Sequence, residues 1–115
     1  MTHAISSLIR SALFVRDLER SSAFYGALGF DSVYFEGELD GASAREVLGL
    51  PDLQRCRCRI VRPEGRPNFG MIGLFEVTPA PEALPAAAGP PRLGETALVI
   101  YATPVDAAVR AARAA

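Results

Sequence analysis

The sequence predicts an α+β fold: one complete βαβββ unit, then the opening strand and helix of a second, shaped to enclose a small molecule. Three features carry this reading. A period-two strand runs directly into an amphipathic helix capped by aspartate, three further strand-sized runs follow, and a strand-then-helix order recurs after a stretch rich in proline and alanine. The 115 residues suffice for one core but not for two independent ones, so a single unit spanning 1–115 is expected.

Between Leu8 and Val15, Arg10, Ala12 and Phe14 alternate with Ile9, Ser11, Leu13 and Val15, as a strand with two unlike faces requires. Asp17 then stands as a helix N-cap, Leu18, Phe24, Tyr25 and Leu28 recur on one side, and Gly29 supplies the left-handed stop. Phe30 to Glu36 holds the β-prone Val33, Tyr34 and Phe35. Ser43-Ala44-Arg45-Glu46 has the spacing of a capping box, and with Pro51 as the stop it predicts one short helix inserted between strands. From Gln54 to Arg62 the alternation is cleanest, with Arg55, Arg57 and Arg59 on one face and Cys56, Cys58 and Ile60 on the other. Turn formers fill 63–68, and Met71 to Val77 resumes an apolar run, which predicts a hairpin that closes the first unit, about 8–77.

Residues 78–95 carry Pro79, Pro81, Pro85, Pro90 and Pro91 and read as an extended linker. The partial second unit, 96–115, opens with an apolar strand from Thr96 to Ala102. Thr103-Pro104 follows as N-cap and first helical position, with Val105, Ala108, Val109 and Ala112 as the helical stripe. Aligning Asp17-Leu18 with Pro104-Val105 sets Phe14 against Tyr101 and Arg10 against Ala97, consistent with a duplicated module whose second copy lacks the later strands.

Composition removes several function classes. A net charge of −1 supplies no global field for nucleic acid or an anionic membrane, and no apolar run approaches the length of a membrane span. All twelve basic residues are arginine, so lysine Schiff-base chemistry and a P-loop lysine are excluded. The N-terminal residues lack the basic and apolar regions of a secretory signal, and Cys56 and Cys58 lie too close on one strand face for a disulfide. A reducing, cytoplasmic location is therefore expected, with both thiols acting as small buried hydrophobes. One histidine, His3, and two thiols do not make a structural zinc site.

Leu13-Phe14-Val15-Arg16-Asp17-Leu18-Glu19-Arg20-Ser21, followed by Phe24-Tyr25 and Leu28-Gly29-Phe30, resembles the opening of the vicinal oxygen chelate superfamily. That superfamily includes glyoxalase I, the bleomycin-resistance proteins and the extradiol dioxygenases. Gly73-Leu74-Phe75-Glu76-Val77 is similar to its fourth strand, and Val105 to Val109 to the helix of its second module. The resemblance implies paired βαβββ half-barrels around a pocket, commonly within a homodimer. In the family's enzymes it also implies a divalent metal held by histidine or glutamine on each first strand and glutamate on each last strand.

Residue by residue, that ligand set is incomplete here. Arg10 occupies the first histidine position and offers no lone pair, and Thr96 or Ala97 occupies the second. Only Glu76 matches, and the fourth ligand would lie on a strand outside this sequence. No metal is therefore expected. Arg10 and Glu76 are expected to approach each other in the concave face, with the guanidinium in place of the cation, presenting a planar donor to an anionic or carbonyl-bearing ligand. An ion pair that merely closes the pocket is the alternative.

The arginine run of Arg55, Arg57, Arg59, Arg62 and Arg66 reads as a solvated outer face neutralised by the acidic segments Glu36 to Asp40 and Glu46 to Asp52, rather than as a grip for phosphates. Two functions follow from these readings. One is a metal-free protein that binds a small molecule through Arg10, Phe14, Glu76 and Tyr101. The other is a glyoxalase-type lyase, isomerase or dioxygenase. Such an enzyme would use zinc, nickel, iron or manganese, or Glu76 as a catalytic base raised by an apolar pocket, with a partner chain completing the site.

Overall fold

In the computed structural model, which describes residues 3–50, 54–85 and 89–115, the predicted βαβββ unit is formed. Strand β1 (Arg10–Phe14) leads into helix α1 (Leu18–Ala27), followed by β2 (Ser32–Glu38), a short helix α2 (Ala42–Leu48), β3 (Arg55–Arg62) and β4 (Met71–Thr78). The sheet order is β1-β4-β3-β2, with β1 parallel to β4 and the other pairs antiparallel. Helix α1 packs across β3 and β4 on one face and carries the chain to β2 at the far edge of the sheet, from which β3 and β4 lead back until β4 lies beside β1.

The two faces are built from the alternation visible in the sequence. Leu18, Phe30, Val61, Ile72 and Leu74 form the core beneath α1, joined by half-buried Leu13, Val15, Tyr25 and Leu28. Cys56, Cys58, Ile60, Met71, Phe75 and Val77 form the opposite, concave face, against which Leu39, Leu48 and Leu50 pack around α2. Both thiols are fully buried there, as small hydrophobes are expected to be.

Local chemistry explains where the elements begin and end. The Asp17 carboxylate accepts from the Arg20 backbone N–H at 3.0 Å, and Gly29 takes a φ of +107°, which the sequence required at both ends of α1. The capping box at Ser43 is not made. Gly41 is the N-cap of α2 without a side-chain hydrogen bond, because the helix starts two residues earlier and places Ser43 inside its first turn. Pro51 and Asp52, the expected stop and one expected neutralising partner, lie outside the described residues, as do residues 86–88 of the linker.

The second unit departs from expectation. Helix α3 (Val105–Ala114) forms and packs against α1, yet its N-cap is Pro104 itself, and its half-buried positions are Ala107, Ala108, Ala111 and Ala112. Val105 and Val109 remain exposed. The expected strand Thr96–Ala102 joins no sheet: it runs without ladder partners, with Val99 91% and Tyr101 106% exposed. A strand needs a neighbour for its backbone groups, and within this chain β1 and that segment do not meet.

Candidate functional site

The concave face is set by the register of β1 on β4. Arg10, Ala12 and Phe14 pair with Met71, Gly73 and Phe75, and in-register residues of parallel strands share a face. Phe14 and Phe75 meet with ring centroids 5.9 Å apart. Gly73 lies between them and Arg10: a β-carbon there would come within 2.9 Å of the Phe75 ring and 3.6 Å of Arg10 Cδ. The missing side chain lets the ring and the arginine stem both lie flat across the sheet, a role the sequence reading did not assign to this glycine.

Helix α2 roofs part of this face. Arg45 donates to the Leu39 carbonyl at 3.2 Å and to the Gln54 carbonyl, fixing the helix to the chain on both sides of it. Between roof and sheet lies an open cavity of about 660 Å³. Leu39, Val47, Leu48, Phe35, Ile60 and Phe75 give it apolar walls; Tyr34 and Ser43 contribute hydroxyls, Cys58 a thiol and Arg10 a charge. Burial and the neighbouring Cys56 push the Cys58 thiol up to about 11, against an opposing pull from Arg10, so at neutral pH it is an uncharged wall group.

Arg10 and Glu76 do not meet. Glu76 follows Phe75 on β4 and therefore points to the helix side, where its Oε2 accepts from the Leu18 backbone N–H at 2.7 Å and its Oε1 lies 3.5 Å from Arg57. It caps the start of α1 and does not line the concave cavity. The four predicted site residues thus divide: Arg10 and Phe14 lie on the concave face, Glu76 on the opposite one, and Tyr101 out in solvent. The β4 neighbours of Glu76, Phe75 and Val77, are the ones that face the concave side. Among the described residues no three His, Cys, Asp or Glu side chains converge, and the concave donor set of guanidinium, hydroxyls and buried thiols does not suit the family's divalent ion.

The arginine run forms an ion network on the helix side. Arg59 reaches Glu19 at 2.9 Å and also pairs with Glu36, Arg57 reaches Glu19 at 3.3 Å, and Arg55 pairs with Glu38. Glu36 and Glu38 are the local acids the sequence pointed to; Glu19, from the exposed side of α1, was not among them. The two guanidiniums hold the Glu19 carboxyl below its usual value.

No protein-family model and no curated protein matches the chain. A crystal structure of a glyoxalase family protein from Bacillus cereus does match in three dimensions, with a TM-score of 0.70 over 95% of this chain and 71% of that one. The fold is glyoxalase-like. Sequence identity to that protein is 14%, so the likeness shows the fold alone. No helix among the described residues is long and apolar enough to cross a membrane.

Proposed function

We propose that this protein is a small-molecule-binding member of the vicinal oxygen chelate group that works without the family's metal, its ligand held in the concave cavity beneath α2. The observation that carries the proposal is the cavity itself: about 660 Å³ of open space, within the range of ligand pockets, with apolar walls and a few polar groups. Phe14 extends the apolar surface beside Phe75 at the rim. Glu76 is not part of this reading, because its carboxylate serves the start of α1. A glyoxalase-type lyase, isomerase or dioxygenase would need a base or metal donors on this face, and among the described residues Arg10, Tyr34, Ser43 and Cys58 are the polar side chains that line it.

The proposal includes a homodimer in a reducing, cytoplasmic setting, in keeping with the two free thiols. Each chain offers both an unpaired apolar segment, 96–102, and an edge strand, β1, so exchange of that segment between two copies would satisfy both at once and bring Tyr101 to a partner's sheet. Elemental analysis of the purified protein tests the metal-free reading. Less than a tenth of an equivalent of zinc, nickel, iron and manganese is expected; one equivalent of any of them, lost with the Glu76→Gln variant, would return the protein to the metal enzymes.

A further inference from the structure

We infer that the cavity selects apolar molecules bearing one carboxylate, with Arg10 binding the anion and the walls of β2, β3, β4 and α2 taking the hydrocarbon body. This rests on the cavity being a ligand site and adds the chemistry that decides what enters it.

Arg10 is the only charged residue among the described residues of the lining. No hydrogen bond or ion pair joins its side chain to another described residue, whereas Arg55, Arg57 and Arg59 are each paired with carboxylates. Its stem crosses Gly73, so the guanidinium projects inward over the sheet, and its charge is felt at Cys58, two strands away. Cys58 is held neutral by burial and therefore offers no competing anion. A guanidinium presents parallel N–H donors that match a carboxylate, and at the edge of an apolar cavity that match is stronger than in bulk water.

The rest of the lining sets the other half of the specificity. Among the described lining residues there is no carboxylate and one cation, so a ligand ammonium group finds no counter-charge there and a polyanion finds a single partner. Tyr34 and Ser43 can each give one hydrogen bond, which leaves Leu39, Val47, Leu48, Phe35, Ile60 and Phe75 to accept an aryl or alkyl body. A neutral carbonyl compound would gain the same apolar contact but only one of the two parallel bonds, without the charge.

The test titrates the full-length protein with 2-naphthoate, 4-phenylbutanoate and decanoate, each against its own primary amide, with amide NMR shifts as the readout. The acids are expected to bind about tenfold or more tightly than the amides, with shifts at Phe35, Cys58, Ile60 and Phe75. Arg10→Gln should erase the difference by lowering acid affinity to about that of the amides, and Arg10→Lys should restore part of it, which separates loss of charge from loss of fold. Equal binding of acids and amides would overturn the carboxylate selectivity while leaving the cavity a ligand site. No shift at these residues with either series would overturn both.

Discussion

Glu76 shows how much one residue's direction matters. Its carboxylate accepts from Leu18 N–H at 2.7 Å and lies beside Arg57, so it stabilises the first turn of α1, where negative charge is favoured by the helix dipole. Glu76→Gln should cost about 1–3 kcal/mol in urea unfolding and leave carboxylate binding unchanged. A larger effect on binding than on stability would put Glu76 back in the site. Glu19 offers a pH test. Arg59 and Arg57 lower its pKa from the ordinary 4.5, so the stability it contributes is present above that value and is lost as pH falls through the folded-state pKa. Unfolding midpoints from pH 7 to 3 should therefore fall less steeply for Glu19→Gln than for the parent; parallel curves would mean that the ion network contributes nothing.

At the scale of elements, β4 carries the consequence. Every residue from Met71 to Phe75 is buried, because the strand is covered by α1 on one side and by the α2 region on the other. Such a strand has no polar alternation to reveal its faces, which is why Glu76 could be assigned to the wrong one. Its face is fixed by the hairpin register, Arg57 opposite Glu76 and Cys58 opposite Phe75. Once that register is known, the arginine face of β3 places Glu76 outside the cavity. Gly73 belongs to the same scale. Gly73→Ala should push the Phe75 ring aside, because its new carbon would sit 2.9 Å from that ring. Carboxylate affinity should fall about tenfold for a loss of about 1–3 kcal/mol of stability from overpacking; unchanged affinity would show that neither Phe75 nor the Arg10 stem shapes the site. Asp17 and Gly29, by contrast, were legible from the outset, since caps depend on neighbours three or four residues away.

For the whole molecule, the open question is what covers the segment 96–102. Leu98, Val99, Ile100 and Tyr101 are all exposed, and so is β1's neighbour Leu8. Light scattering on the purified chain should give twice the 12.2 kDa monomer mass, and Val99→Asp should return it to one. A parent chain that stays monomeric at micromolar concentration and above would rule out strand exchange.

The sequence by itself determined the elements of the first unit, the Asp17 and Gly29 ends of α1 and the two faces of β1 and β3, all of which depend on spacing along the chain. Tertiary structure alone decided that Arg10 and Glu76 look in opposite directions, that Glu19 joins the arginines, that Gly73 clears room for Phe75, and that 96–102 is left unpaired. The physical reason is common to these four. Each depends on which strands lie side by side and in what register, and local periodicity fixes the face of a strand without fixing its neighbour.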